Sequence, residues 1–465
     1  MPIRRIPQLR VGIGSTPDID SPFAATTMDG MWLSSLAYDA PLRWNAAGAV
    51  VPGLFTTTLD SRSTAVGLEP RASVFFADGS PLSANHLADM LTTVQDSAEG
   101  WRLQNVRDFS VDGNGVLRVL LEDPDQSLLA SLAHPASSLR QGGVGSGPFV
   151  RDAGTIATVF KRNPLFWQIG RPHIDEIEMV YIADDVQRST AAATGEIDIL
   201  PNVPLLDVPL LQQEPTLYLV GGPSNRLCHL QMNLSIPVLA RVEVRRILSA
   251  AIDRSRLVTV ATANQAEPTS TLFAPQYWSE NVEGVNGMAA GDVRESLHAL
   301  GIPPDLRLHL LADNADATLA NTAVVLQEQL ANCGISLSIT LLEGDELAAA
   351  VAEGEYDLLV GYSEPWRDQH ELVWPLLAST GPHNWSGFSS VEVDTLLRAA
   401  IALPDAGFRR ARYTRLERII QREVPCIPLF RPFVWDAVNA NYPGYAPLPP
   451  ATSRGLMSVM PTETT

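Results

Sequence analysis

Histidine, tryptophan and charged residues are concentrated between positions 362 and 388, the stretch of the chain best suited to chemistry. Aromatic side chains bury a large area and charged groups fix orientation, so the combination is typical of a site that captures a small polar solute. On these residues alone, packing inside a large lobe is the favoured interpretation. The candidate residues are Tyr362, Trp366, Arg367, Asp368, His370, Trp374, His383, Trp385 and Phe388.

None of the motifs that would carry catalysis is complete. The pair His370-Glu371 starts like the helix of a zinc protease, but Trp374 stands where that helix needs its second histidine. The glycine-rich residues 142–148 contain no lysine and end in a proline, which predicts a tight turn rather than a phosphate loop. The dyad Asp184-Asp185 is predicted to begin a helix, where carboxylates favour the helix dipole. The sequence therefore predicts a protein that is not an enzyme.

The charged residues exclude several classes of protein. Lys161 is the one lysine beside 32 arginines, and it lies in neither a Walker A loop nor a context for a pyridoxal Schiff base. Acidic residues outnumber basic ones by 52 to 33, and the net charge of −19 repels phosphate backbones. We therefore expect no nucleic-acid partner. Cys228, Cys333 and Cys426 lie too far apart for zinc or CxxC spacing, so each is predicted to be a small buried side chain.

The length of 465 residues exceeds what one hydrophobic core supports, so at least two lobes are expected. From residue 227 onward, helical and β-rich segments alternate, which predicts an α/β lobe. Its predicted helices cover residues 242–251, 318–333 and 406–422, and its predicted strands cover 306–311, 336–341, 356–360 and 426–433. Earlier strands are predicted at 8–13 and 177–182, and helices at 28–38, 83–94 and 186–194.

The N-terminal residues contain arginines but no apolar run typical of a signal peptide, and no stretch approaches 20 apolar residues. Two interpretations stay open: an intracellular protein, or an exported one whose signal has been trimmed or left out of this sequence.

An ordered set of short motifs resembles the large solute-binding proteins of peptide/nickel ABC importers, known as family 5. Each motif is weak alone, but their order along the chain is specific. The motifs are ADGSPLSA at 77–84, VGSGPF at 144–149, RNPLFW at 162–167, IDEI at 174–177, GEID at 195–198, VRRIL at 244–248 and AIDR at 251–254.

The resemblance implies a bilobal α/β fold of the periplasmic-binding-protein type, with a hinge and an extra N-terminal α+β subdomain. Lobe I would comprise residues 1–35, 141–224 and 434–465, the inserted subdomain 36–140, and lobe II 225–433. The implied protein is a monomeric receptor that closes on a small polar solute in the interlobe cleft and delivers it to ABC permease subunits from the periplasm or cell surface. The solute stays open between a short peptide-like molecule, an opine-like molecule and a nickel chelate. The alternative is a cytoplasmic ligand-sensing or biosynthetic relative of the same fold.

Local similarity to the nickel and metallophore binders implies part of the site. Met31 and Trp101 fall where those proteins have a pocket methionine and tryptophan, and His383 falls near their metal-contacting histidine. Imidazole is a good ligand for Ni(II), with a small chelator supplying the other positions, so nickel is expected only within a bound chelate. Ala136 occupies the position of their carboxylate-binding arginine, so Arg140 is expected to substitute.

The peptide-binding members have a lobe II aspartate that binds the ligand's ammonium group. Here Glu364 and Asp368 are the two candidates, and Asp368 is the predicted one. Arg367 beside it could bind a ligand carboxylate or neutralise Asp368 as a structural ion pair. Trp366 and Trp385 complete the predicted ligand-binding set.

Overall fold

The chain divides into two compact units. Unit 1 comprises Met1–Val203, Asp207–Gly222 and Val434–Thr465, and unit 2 comprises Pro204–Leu206 and Pro223–Phe433. The structure is a computed structural model that describes residues 5–15, 19, 28–45, 48–59, 64–152, 158–274, 282–363, 368–403, 405–447 and 453–460.

Unit 1 contains a mixed sheet and a separate antiparallel sheet. Its strands are β1 (Ile6–Ile13), β2 (Leu42–Trp44), β3 (Val50–Pro52), β4 (Phe55–Leu59), β5 (Ala65–Pro70), β6 (Val106–Val111), β7 (Leu117–Leu121), β8 (Arg140–Gln141), β9 (Val144–Gly145), β10 (Phe149–Asp152), β11 (Thr158–Arg162), β12 (Ile174–Tyr181), β13 (Ile199–Leu200) and β14 (Leu217–Pro223). Its α-helices are α1 (Met28–Ala37), α2 (Ala84–Gln95), α3 (Leu128–Leu132), α4 (Asp185–Thr194) and α5 (Val208–Leu211).

The mixed sheet of unit 1 has β1 at its centre, parallel to β12 on one side and to β13 on the other. β11 and β10 extend it in antiparallel fashion beyond β12. The antiparallel sheet has the order β4-β5-β7-β6 and packs with α2 around its own apolar core, which includes Leu68, Leu87 and Val119. These segments form an α+β region within unit 1.

Unit 2 is an α/β unit. Its strands are β15 (Leu227–Met232), β16 (Ala266–Pro268), β17 (Leu306–Asp313), β18 (Ile335–Leu342) and β19 (Leu358–Ser363). Its helices are α6 (Pro237–Ala240), α7 (Val242–Ala251), α8 (Arg254–Ala261), α9 (Ala290–Ala299), α10 (Ala317–Asn332), α11 (Gly344–Glu353), α12 (Gln369–Leu377), α13 (Val391–Ile401) and α14 (Ala406–Glu423). A last strand, β20 (Cys426–Asn439), runs through both units, with residues 426–433 in unit 2 and 434–439 in unit 1.

The sheet of unit 2 has the order β20-β15-β19-β17-β18. β17 is parallel to β18 and to β19, whereas β15 is antiparallel to both β19 and β20. Leu230, Val360 and Leu310 lie on one face of this sheet and pack with α7, α8 and α10 in the main core of the unit. The predicted α/β class is therefore confirmed.

Local sequence signals explain where several helices begin. Asp184 caps α4 by accepting a hydrogen bond from the backbone N–H of Gln187 at 2.8 Å, as the aspartate dyad predicted. Asp316 caps α10 in the same way, accepting from Thr318 and Leu319. Helix α7 has the predicted bounds.

All three cysteines are buried and form no disulfide, which confirms the prediction that each is a small buried side chain.

Strand β19 runs two to three residues later than the predicted 356–360. The hydroxyl of Tyr356 donates to the carbonyl of Trp385 at 2.5 Å, and the carboxylate of Asp357 accepts from the backbone N–H of His309 at 2.8 Å. These contacts lie just before Leu358, the first residue of the strand. The pairing of β19 with β15 continues to Ser363, opposite Leu227.

None of the helices in the described ranges is long and apolar enough to cross a membrane.

A buried carboxylate fixes the segment that precedes α9. Glu417 of α14 is fully buried and accepts hydrogen bonds from the backbone N–H groups of Leu272 (3.2 Å) and Phe273 (2.9 Å). Arg431 of β20 donates to the carbonyls of Thr271 and Leu272. One carboxylate and one guanidinium thus satisfy four backbone polar groups. Burial raises the pKa of Glu417 from 4.5 to about 7.

The titration of Glu417 predicts a pH dependence of stability. Because the folded-state pKa lies above the unfolded value, the folded protein holds this proton more tightly, and the free energy of unfolding falls as the pH rises from about 4.5 to 7. Glu417→Gln keeps an acceptor but cannot titrate. Chemical denaturation of both proteins should give a difference, wild type minus variant, that falls by about 3 kcal/mol over this range. Parallel pH profiles for the two proteins would contradict the assignment.

Glu417→Ala is the control for the hydrogen bonds themselves. It leaves two buried N–H groups without an acceptor, and we expect it to be less stable than Glu417→Gln by roughly 2–4 kcal/mol in the free energy of unfolding at every pH, because neither variant titrates at this position.

Candidate functional site

The carboxyl ends of three parallel strands of unit 2 meet at one edge of its sheet. β17 ends at Asp313, β18 at Leu342 and β19 at Ser363. Because β15 is antiparallel to β19, its first residue, Leu227, lies at the same edge, paired with Ser363. Ligands of α/β sheets bind outside the carboxyl ends of the strands, so this edge is the candidate functional region of unit 2.

The charges at this edge are of both signs. Burial, with the neighbouring Asp316 and Glu343, raises the pKa of Asp313 above its usual value. The guanidinium of Arg226 lies 3.7 Å from the ring centroid of Tyr362. Tyr362 is neutral, because burial raises the pKa of its phenol well above 10. The edge therefore combines carboxylates with a cation that stacks on an aromatic ring.

Two polar side chains follow one another along one face of β15, beside this edge. His229 is 2% exposed and its Nε2 lies 3.1 Å from the hydroxyl of Ser363. Burial, with a smaller effect of His383, lowers the pKa of His229 to about 3, so the imidazole is neutral. Gln231, 1% exposed, donates through Nε2 to the carbonyl of His383 at 3.1 Å. The same face of the strand thus links the edge to the loop that follows α12.

His229 and Gln231 each keep a polar atom for which the described residues provide no hydrogen-bond partner. These atoms are Nδ1 of His229 and Oε1 of Gln231. Nearly all buried polar atoms in proteins are paired, and exceptions are common where function requires a partner from outside. The two atoms are therefore candidate contacts for a polar ligand. Sequence reasoning missed both residues, although polar side chains alternating with apolar ones in LCHLQM are a signal that could have found them.

The structure brings two predicted residues together in the loop after α12. The rings of His383 and Trp385 have centroids 5.3 Å apart and an interplanar angle of 45°. Both side chains are exposed, and Trp385 reaches 38% of its full accessibility. The N–H of His383 donates to the carbonyl of Pro375 near the end of α12. An imidazole and an indole are thus presented side by side on a loop whose backbone is anchored.

Asp368 has a structural role in the same unit. Its carboxylate caps α12 by accepting from the N–H of His370 at 2.8 Å, and it pairs with Arg409 Nη2 at 3.0 and 3.2 Å. The charge of Asp368 is therefore neutralised by Arg409 of α14. Asp368 lies seven positions before Pro375, whose carbonyl accepts from the N–H of His383, so at about 1.5 Å per residue roughly 10 Å separate the two along the helix. The predicted residues Trp366 and Arg367 lie outside the described residues.

The predicted residues of unit 1 lie on different elements. Met31 is 2% exposed within α1. Trp101 is half-buried in a 3-10 turn, Gly100–Leu103, with the guanidinium of Arg102 4.3 Å from its ring centroid. The indole Nε1 of Trp101 is shielded from solvent and has no hydrogen-bond partner among the residues described. This donor is the strongest sign of a ligand contact in the predicted set of unit 1.

Arg140 lies on β8, and its guanidinium carbon is 4.8 Å from the ring centroid of Tyr38, the residue after α1. The hairpin of β8 and β9 turns through Gly142 and Gly143, both with positive φ, so the predicted tight turn is present. Stacking on Tyr38 restrains the guanidinium, so binding a carboxylate would cost less conformational entropy.

Comparison with known proteins identifies the relatives of this chain. Residues 60–384 match the model of the family "Bacterial extracellular solute-binding proteins, family 5 Middle". The glutathione-binding protein GsiB of Escherichia coli K12 is 25% identical over 409 residues, covering 82% of this chain and 80% of GsiB. This agrees with the resemblance drawn from the motifs.

Solved structures match the chain over nearly its whole length. AgaA of A. tumefaciens R10, in complex with agropinic acid, has a TM-score of 0.89 at 19% identity and covers 98% of this chain and 99% of its own. The periplasmic binding protein DppA of Helicobacter pylori, in complex with peptide STSA, has a TM-score of 0.87 at 18% identity, covering 99% of each chain. NikA of Staphylococcus aureus, in complex with Ni(L-His)2, has a TM-score of 0.85 at 17% identity and covers 98% of this chain and all of its own.

These matches confirm the predicted periplasmic-binding-protein fold. They also agree with the prediction from the incomplete catalytic motifs, since the relatives bind solutes rather than convert them. Because the family model covers well over half of the sequence, the protein belongs to the bacterial extracellular solute-binding proteins, family 5.

Proposed function

We propose that this protein is the solute receptor of an ABC importer and that it captures a short peptide-like solute outside the cytoplasm. The observation that carries the proposal is the match to solute-binding proteins along nearly the whole chain, in both units. Export to the periplasm or cell surface follows the extracellular character of the family.

A peptide-like solute is supported by the relatives and by the chemistry of unit 2. GsiB is named for glutathione, a tripeptide, and the DppA structure contains a tetrapeptide. Peptides present amide N–H and C=O groups, and unit 2 offers the Oε1 acceptor of Gln231 and the polar Nδ1 of His229. Because Asp368 is already paired with Arg409, we propose that the peptide ammonium group is bound by the carboxylates near Asp313 instead.

A nickel chelate is the second candidate, favoured by the exposed imidazole of His383 beside Trp385. Among the described residues, no three His, Cys, Asp or Glu side chains come together as a metal site. A nickel ion would therefore arrive with most of its ligands supplied by a chelator, and His383 would add one nitrogen.

A ligand panel tests the receptor proposal. Protein stripped of co-purified solute by unfolding and refolding should be stabilised by glutathione or by tri- and tetrapeptides. Ligand at 100 times its dissociation constant contributes about 2.7 kcal/mol to the free energy of unfolding, which thermal-shift measurements detect. The panel should include agropinic acid and nickel with L-histidine. The absence of a shift with every member would count against a receptor for these classes.

His383 separates the two solutes. If nickel–histidine is the cargo, His383→Ala should weaken its binding by about tenfold or more, as measured by titration calorimetry, because one metal–nitrogen bond is lost. Binding of glutathione should be unchanged. His298→Ala is the matched control, since His298 is exposed on α9 in the same unit. Equal affinity of wild type, His383→Ala and His298→Ala for nickel–histidine would show that His383 does not bind the metal.

Arg140 is proposed to bind the carboxylate of the solute. Arg140→Gln should weaken peptide binding by about 10- to 100-fold, the value of one charge-assisted hydrogen-bonding group. Amidation of the peptide C-terminus should weaken binding to wild type similarly, yet have little further effect on the variant, because both changes remove the same contact. Additive effects would show that the carboxylate binds elsewhere. Arg118→Gln, at an exposed residue of β7, is the control.

A further inference from the structure

Two arginines of unit 1 that are not among the candidate solute contacts lie against the ring of one tryptophan. The guanidinium carbon of Arg43 is 5.5 Å from the ring centroid of Trp167, and that of Arg71 is 5.0 Å from the same centroid. Arg43 lies on β2, Arg71 directly follows β5, and Trp167 follows β11. Three segments distant in sequence therefore bring two like charges to one aromatic ring.

Each of the three side chains is held in place. Arg43 Nε donates to the carbonyl of Pro52 at 3.3 Å, and Arg71 Nε donates to the next carbonyl, that of Gly53, at 2.5 Å. The indole Nε1 of Trp167 donates to Asp39 Oδ2 at 2.8 Å. Each arginine is anchored through Nε, and its two Nη groups make no hydrogen bond to the described residues.

The turn that accepts these bonds is itself tightly packed. A Cβ atom on Gly53 would lie 2.8 Å from the carbonyl oxygen of Pro41 and 3.2 Å from that of Ala40. Glycine is therefore required at this close approach of two backbone segments. The carbonyls of Pro52 and Gly53 are consequently rigid acceptors, so the anchored guanidinium groups are pre-organised.

Neither arginine forms an ion pair with a described residue, and the Asp39 carboxylate at this site accepts its hydrogen bond from Trp167. Neither Arg43 nor Arg71 has an acidic side chain within 4.0 Å in the described part of the chain, although many arginines of this acidic protein do, such as Arg10 with Asp198. Burial and the charge of Arg71 lower the pKa of Arg43. Two cations therefore repel one another at a half-buried place, and an anion bound there would relieve the repulsion.

We propose that Arg43 and Arg71, supported by Trp167, form a binding site for a small oxoanion, a carboxylate or a phosphate group. The Nη groups of two anchored guanidiniums can each donate to an oxygen of such an anion, the geometry for which arginine is suited. The site does not depend on the proposed solute, because its residues lie on β2, after β5 and after β11 rather than among the candidate solute contacts.

Titration calorimetry with sodium phosphate and with sodium acetate, at constant ionic strength, tests the proposal. Wild type should bind at least one of them saturably, and the preferred anion distinguishes a phosphate site from a carboxylate site. Arg43→Gln and Arg71→Gln should each raise the dissociation constant about tenfold or more. Arg118→Gln removes an arginine of the same unit that already pairs with Asp112, and it should leave anion binding unchanged.

Arg43→Lys keeps the charge but removes the planar fork, so it should bind more weakly than wild type and more tightly than Arg43→Gln. Melting curves recorded without anion show whether each variant is folded. If a glutamine variant is unfolded, Arg43→Lys provides the test in its place. Failure of wild type to bind either anion saturably would overturn the proposal, and so would equal affinity of wild type and the folded variants at Arg43.

Discussion

Strand β15 is buried along its whole length, so every polar side chain on it must find a partner inside the protein or from a bound molecule. Its apolar residues Cys228, Leu230 and Met232 pack in the core of unit 2, which commits His229 and Gln231 to the opposite face of the sheet. Ser363 and the carbonyl of His383 satisfy one atom of each. The remaining atom of each side chain gives this face its capacity to bind a polar solute.

The neutral state of these groups follows from the same burial. His229 has a pKa of about 3 and is uncharged at physiological pH, so it interacts with a ligand as a dipole rather than as a cation. The charges of unit 2 lie instead at the carboxyl edge of the sheet, where Arg226 stacks on Tyr362 and Asp313 lies close to two further carboxylates. A peptide has the matching distribution, with polar amides along its length and charges at its ends.

Sequence reasoning predicted the fold class and most element positions, because the order of short motifs and the hydrophobic periodicity can both be read directly from the sequence. Helix α7 has the predicted bounds, and α10 begins one residue before its prediction. The ion-pair partner of Asp368 could not be predicted from the sequence. The sequence suggested Arg367, the adjacent residue, whereas the pair forms with Arg409, 41 positions away, once α12 and α14 are folded. The polar residues of β15 were missed although LCHLQM alternates polar with apolar side chains, because the alternation alone does not show that both faces of the strand are buried.

Native mass spectrometry of the folded protein, incubated with an equimolar library of di- to pentapeptides, tests the central claim most directly. The account predicts one peptide bound per chain, released unchanged on collisional activation, with a narrow range of lengths and with C-terminally amidated peptides depleted. A protein that retains no peptide from the library, or that releases peptides chemically altered, would contradict the account.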